Sequence, residues 1–354
     1  MGSWYEFNNG PKQTLQENQL LRNKKKIDPE SFCDVSKADL NSKILDYKPT
    51  IYSLDTLLHR NKMPTHWLSD YLKDVTNVLT HSDTKIFQEY HDERYVILSI
   101  GDKTPKDESK PIVSKARKVV TREESKNESY QPIIWPIRMN RHFHDPLSHL
   151  QTIVQNGQDT KWEDKKNVVH WRGGGNTGLE KGSRLVFSKT YGMQGDEDGV
   201  NIGIHAMSPE NKRRYNVSRC EHCFKPEQEV KTMLQYKYLL SLEGNDVATD
   251  LKWKLASSSV VFMPKPETDT YMMESKLVPY VHYVPVKGDG SDLLKQLRWA
   301  KDNDEQCKWI SEKATEYMDK LYQSDQAKKD DLWIRHRLAT LYQEKFGKAL
   351  RACF

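Results

Sequence analysis

Residues 236–286, YKYLLSLEGNDVATDLKWKLASSSVVFMPKPETDTYMMESKLVPYVHYVPV, constrain the fold more than any other part of the chain. The apolar run 236–242 ends in the polar turn Glu243-Gly244-Asn245-Asp246, a helical pattern fills 247–256, and apolar runs return at 259–263 and 280–286. Strand, polar turn, helix and strand in that order make the repeating unit of an α/β protein, because parallel neighbours need a crossover between them. The turn that opens the helix then lies at the carboxyl end of a strand. Backbone N–H groups and a helix start meet there, and such places hold anions.

A second turn of this kind lies upstream. The strand pattern 167–171 runs into His170-Trp171-Arg172-Gly173-Gly174-Gly175-Asn176-Thr177-Gly178. Gly173 and Gly174 let the backbone approach a ligand closely, Arg172 can fork two hydrogen bonds onto a phosphate, and Thr177 can add a hydroxyl. Arg184 is a second candidate clamp. No Gly-Lys-Ser/Thr follows, so the turn is a poor match to an ATP-hydrolysing loop, while a glycine-rich hairpin with a surface arginine stays open. In the downstream turn, Asn245, Asp246 or Thr249 can cap the helix, and Lys252 with the helix start can balance a departing diphosphate. Glu274 suits a ribose or, equally, a solvated helix face. Asp102 follows the strand pattern 93–100 and can take a proton from a hydroxyl nucleophile, or simply close a turn. Two phosphate-type turns with a basic residue in each suggest a nucleotide-linked substrate.

Other features are read more plainly. Asp196-Glu197-Asp198 resembles a metal-holding triplet but sits in a hydrophilic loop, and we expect a solvated turn. His142 and His144 are expected in a surface loop. Five cysteines (33, 220, 223, 307 and 353) are too few and odd in number for a disulfide scaffold. Cys220-Glu221-His222-Cys223 lacks the second pair that zinc usually needs, so loop thiols are expected.

At 354 residues the chain is too long for one ordinary core, and 36% hydrophobic with 10% aromatic content supports packed domains. A net charge of +5 does not call for nucleic acid or a membrane surface. No run reaches the roughly 20 apolar residues of a membrane span, and the first residues lack the apolar core of an export signal. We therefore expect a soluble protein, cytoplasmic by default, with no integral membrane segment and no nucleic-acid partner. Residues 1–45 read as a polar arm, and beyond residue 291 the pattern is helical.

Taken together, residues 162–178 (WEDKKNVVHWRGGGNTG), YKYLL at 236–240, the run SVVF at 259–262 and PYVHYVPV at 279–286 resemble the family 90 glycosyltransferases over roughly residues 90–325. This family includes capsule-associated, lipopolysaccharide-modifying and protein O-glucosyl- and O-xylosyltransferases. The resemblance implies a GT-B architecture, two Rossmann-like domains facing across a cleft. It further implies an inverting transfer with no metal or other cofactor, from a nucleotide sugar, commonly UDP-linked, to a hydroxyl of a glycan or protein. A secretory-lumen location would also suit relatives of this kind. It places an acceptor-side domain at 46–150, a nucleotide-sugar domain at 151–300 and a helical segment at 301–354. Arg172 and Arg184 fall on the family's diphosphate contacts, and Asp102 falls near its catalytic aspartate. One departure is Asp250, where the glucosyltransferase branch has an arginine; Lys252 can take the phosphate role. A non-catalytic carbohydrate- or nucleotide-binding protein on the same fold is the alternative.

Overall fold

The computed structural model describes residues 33–34, 36–37, 50–53, 95–99, 110–119, 132–134, 159–175, 183–327, 338 and 340–353. The chain divides into two compact units, one of Met1–His142, Asp269–Met272 and Asp325–Phe354, the other of Phe143–Thr268 and Met273–Ser324. The boundaries read from the sequence do not coincide with these units. Part of the helical tail belongs to each, and the second unit begins before residue 151.

The first unit is built on strands β1 (Ser36–Lys37), β2 (Thr50–Ser53), β3 (Tyr95–Ser99), β4 (Val113–Ser114), β5 (Ala116–Lys118) and β6 (Ile133–Ile134). Five of them form a mixed sheet in the order β1-β2-β3-β4-β6, in which only β2 and β3 run antiparallel. All five residues of β3 are buried, as expected of a strand covered on both faces. Tyr342 locks the tail onto this sheet. Its fully buried hydroxyl donates to the Pro111 carbonyl at 2.9 Å and accepts from the Ile97 N–H at 3.1 Å. Cys33 and Cys353 form a disulfide across a sequence separation of 320 residues, and Cys220 and Cys223 form a second one. The expectation of loop thiols is thereby corrected: of the five, Cys307 alone is free, and it is buried.

The second unit carries β7 (Lys166–Gly174), β8 (Val200–Ala206), β9 (Tyr236–Leu240), β10 (Val260–Met263) and β12 (Val284–Pro285). The intervening β11 (Thr268–Thr270) instead pairs with β5. These five strands form an all-parallel sheet in the order β12-β10-β9-β7-β8. The first strand of the unit thus lies inside the sheet, its second goes to one edge, and the later three stack on the other side. This is a doubly wound order, and the direction of winding reverses between β7 and β9.

Side chains of β7 alternate between faces. Val169 and Trp171 enter a core with Leu185 and Phe187 of α1 (Ser183–Tyr191) and with Ile202 and Ile204 of β8. The short helices α2 (Pro209–Arg214), α3 (Val230–Met233) and α4 (Leu251–Leu255) follow in chain order, then α5 (Leu293–Asp302) and α6 (Asp304–Met318). Leu293 and Leu297 of α5 and Ile310 of α6 join the same core.

Two sequence expectations shrink. The helix read at 247–256 is the five-residue α4, because Asp246 Oδ1 accepts the Val247 N–H at 2.8 Å and holds that stretch outside the helix. The strand read at 280–286 reduces to β12, because Tyr280 takes a left-handed backbone (φ 57°) that interrupts extension. No helix among the described residues is long and apolar enough to cross a membrane.

Candidate functional site at the carboxyl edge of the parallel sheet

The carboxyl ends of β7 and β9 flank the point where the winding reverses, the usual ligand position in an open parallel sheet. Arg184, in the first turn of α1, spans that point. Its Nη1 donates to the Gly174 carbonyl at 2.9 Å, its Nη2 to Leu242 at 3.0 Å and its Nε to Glu243 at 3.2 Å. One guanidinium therefore ties the end of β7 to the end of β9. Its Cζ lies 5.9 Å from the centre of the Trp171 ring. Burial lowers its pKa, while the carboxylates of Asp250 and Asp246 act in the opposite sense.

A second cation, this one buried, supports this edge. Lys254 of α4 is fully buried, donates to the Leu240 carbonyl at 2.7 Å and pairs with Asp250 Oδ2, four residues earlier. Asp250 Oδ1 accepts from Ser241 Oγ at 2.9 Å. Burial pulls the Lys254 pKa down, and Asp250 opposes the shift. Glu243 Oε1 accepts the N–H groups of Glu267 at 3.0 Å and Thr268 at 3.2 Å, which holds the loop after β10 against the end of β9. Asn245 is exposed, Asp246 is buried, and Lys252 is half-buried on α4. Glu274 is 3% exposed in a short turn, Glu274–Lys276, so the solvated-helix reading of this carboxylate is corrected.

Arg172 goes elsewhere. It is one residue from Trp171 and so projects from the opposite face of β7. Its Nε donates to the Pro226 carbonyl at 3.2 Å, its Nη1 to the Trp171 and Asn201 carbonyls at 2.8 and 3.0 Å, and its Nη2 to Asn201 Oδ1 at 2.7 Å. Asn201 is level with His170, whereas Arg172 itself is paired with Gly203, so the guanidinium leans back along the strand. Arg172 and Arg184, both expected on one diphosphate, approach β7 from opposite faces, and Arg172 braces β8 and the 224–226 loop. The glycines of the turn answer to packing. A methyl on Gly173 would run into the Trp171 indole, and one on Gly175 would come within 2.9 Å of Ile204 Cγ2. A methyl on Gly174 would meet only His205 Nε2, at an ordinary contact distance of 3.9 Å.

The helix start expected near Asn245 is also displaced, since α4 opens at Leu251. The acidic triplet immediately precedes β8, hence at the amino edge of the sheet. There Asp196 is engaged by Lys166 at 2.8 Å and by Asn201 Nδ2 at 2.7 Å. Asp102, Thr177, His142 and His144 lie outside the described residues. Lys254 and Glu243 escaped the sequence reading. The signal for Lys254 was its position four residues after Asp250, a helix-pair spacing; Glu243 stood in view but was read only as part of a turn.

The model of glycosyl transferase family 90 matches residues 143–331, which is more than half of the chain and includes every strand of the parallel sheet. The O-glucosyltransferase LpsA of Dichelobacter nodosus is 42% identical over 121 residues, covering 34% of this chain and 36% of that protein. Protein O-glucosyltransferase 2 of Danio rerio is 41% identical over 80 residues, 22% of this chain and 15% of that protein. Protein O-glucosyltransferase 3 of Homo sapiens is 28% identical over 188 residues, 49% of this chain and 34% of that protein. The chain thus aligns with about a third or less of the length of each of these relatives. On the family match and the parallel-sheet unit that it covers, the chain belongs to glycosyl transferase family 90.

Proposed function

We propose that this protein is a glycosyltransferase that moves a sugar from a nucleotide sugar, UDP-linked, onto a hydroxyl of a glycan or protein. The observation that carries this reading is Arg184, a half-buried cation spanning the carboxyl ends of β7 and β9 inside a family 90 unit. Relatives named O-glucosyltransferases support a hydroxyl acceptor. In this reading the two units form the two lobes of a GT-B enzyme and the second holds the nucleotide. The reaction is a single inverting displacement at the anomeric carbon that requires no metal. Asp102 removes the acceptor hydroxyl proton as the new bond forms. The diphosphate leaves beside Arg184, Lys252 and the backbone N–H groups around Gly173 and Gly174, while Glu274 holds the ribose. Arg172 keeps β8 in place and contacts no phosphate.

The test is a screen of nucleotide sugars against the full chain, followed by transfer to mixed glycan and peptide acceptors. A bound donor at one hundred times its dissociation constant adds about 2.7 kcal/mol of stability. Arg184→Lys keeps a cation but not the three-carbonyl fork, and we expect transfer to fall by about a hundredfold, the scale of one lost anion-stabilising donor. Asp102→Asn should abolish transfer and leave nucleotide binding intact. Absence of both stabilisation and transfer with every donor would overturn the proposal. Donor binding without any turnover would favour the second reading, a sugar-nucleotide-binding protein, for which the carboxylate of Asp250 close to Arg184 is the specific support.

A further inference from the structure

We propose that Cys220-Glu221-His222-Cys223 is a thiol–disulfide exchange site, opened through Cys220, whose state sets how the 220–226 loop is held against α1. The proposal is independent of the sugar-transfer reading. The two sulfurs are bonded across a short turn, Glu221–Cys223, with their Cα atoms 5.3 Å apart. The two ends of the bond are unequal: Cys220 is half-buried and Cys223 is fully buried, so an incoming thiol reaches Cys220. His222 is exposed and its Nε2 lies 3.2 Å from Cys220 Sγ, where an imidazole can donate to a thiolate. The free cysteine offers no such chemistry, since burial pushes the Cys307 thiol up to about 12.

The turn is also mechanically connected. Gly192, just past the end of α1, packs directly under the His222 carbonyl. On the other side, Phe224 pairs with Ile204, and the Lys225 N–H donates to the Ile204 carbonyl at 2.9 Å. The Lys225 ammonium donates to Gln194 O at 2.5 Å and to Asn201 Oδ1 at 3.1 Å, and the Pro226 carbonyl takes Arg172 Nε. Opening the ring therefore loosens a segment clamped between α1 and the Arg172 brace.

The chemistry balances with an external thiol as reductant. A thiolate attacks Cys220 Sγ, the Cys220–Cys223 bond breaks, and Cys223 leaves as a thiolate that takes a proton. A second thiolate then attacks the external sulfur of the mixed disulfide and releases Cys220 as a thiolate beside His222. Two electrons enter the pair and the reductant leaves as its own disulfide.

The test uses the full chain in graded ratios of reduced to oxidised glutathione, with thiols trapped by a maleimide and assigned by peptide mass. Cys220–Cys223 should open at a less reducing ratio than Cys33–Cys353, and amide exchange at residues 188–192 should quicken as it does. Cys223→Ser should carry a glutathione adduct on Cys220, while Cys220→Ser should carry about tenfold less on Cys223. In reduced protein, His222→Gln should slow alkylation of Cys220 about tenfold at pH 7, a gap that closes at high pH. Opening no earlier than Cys33–Cys353, an adduct that prefers Cys223, or an unchanged pH profile in His222→Gln would each overturn the assignment.

Discussion

His170 makes folding stability sensitive to acid, and the size of the effect follows from its surroundings. It is fully buried on β7, its ring stacks on Tyr236 with centroids 4.1 Å apart, and the Gln228 side chain beside it favours the protonated form too weakly to offset burial. Burial, then the cations of Arg172 and Lys254, lower its pKa from 6.5 to about 3. A depressed histidine stays neutral in the fold while the unfolded chain takes up a proton below 6.5. Its contribution is thus complete above that pH and is lost as pH falls toward 3. Each pH unit inside the window costs about 1.4 kcal/mol, so moving from pH 7 to pH 5 costs about 2 kcal/mol. His170→Phe keeps a ring on Tyr236 and removes the titration. His282, lowered to about 4 by burial, is present in both proteins and cancels from the comparison. Urea unfolding at pH 7 and pH 5, with fluorescence and circular dichroism required to coincide, should show the native chain losing about 2 kcal/mol more than the variant. Parallel losses in the two proteins, within about 0.5 kcal/mol, would refute the reasoning, since measurement error is of that order.

The buried pair beneath the candidate site gives a second expectation. Asp250→Asn leaves the Lys254 ammonium buried on the Leu240 carbonyl without its carboxylate partner, and should cost about 3 kcal/mol; Lys254→Met added to it should restore most of that loss. Strictly additive effects in that cycle would show that the two side chains do not couple. Gly192→Ala drives a methyl into the carbonyl oxygens of Ser188 and His222 and should cost about 2 kcal/mol or more, read as a lower urea midpoint at unchanged m-value. A neutral result there would mean that the 220–223 turn does not bear on α1.

The parallel sheet was legible because its strands are short apolar runs separated by turns and helices, and length together with alternation identifies such runs without tertiary information. Its order and its winding reversal are products of strand pairing, which no local pattern encodes. The extent of 247–256 was overread because helix propensity in the segment was outcompeted by Asp246 bonding to its own neighbour's N–H. The run 280–286 was overread because apolar content says nothing of the left-handed turn at Tyr280. Glu274 suits a ribose contact and a solvated helix face equally by sequence, and it is buried, since burial is decided by what packs over a segment. The cysteine pairs were invisible for the same reason: Cys33 and Cys353 are brought together only by the fold, and a lone pair at 220 and 223 reads alike as thiols, a metal site or a disulfide.

The different fates of the two arginines follow from parity and chain order. Trp171 is the largest apolar side chain of β7 and enters the core that α1 covers, so Arg172 must leave by the opposite face. From there it crosses to β8, where Asn201 offers both a backbone and an amide oxygen. Arg184 belongs to the helix that packs on Trp171, on the crossover from β7 to β8, so its first turn starts near the carboxyl end of β7. Since β9 is laid down on the other side of β7, that same turn faces the gap where winding reverses, and carbonyls from both strands come within reach of one guanidinium. An arginine two residues after a core tryptophan would have followed its face; one residue after it, the residue type in a glycine-rich turn was right for phosphate and the parity was not.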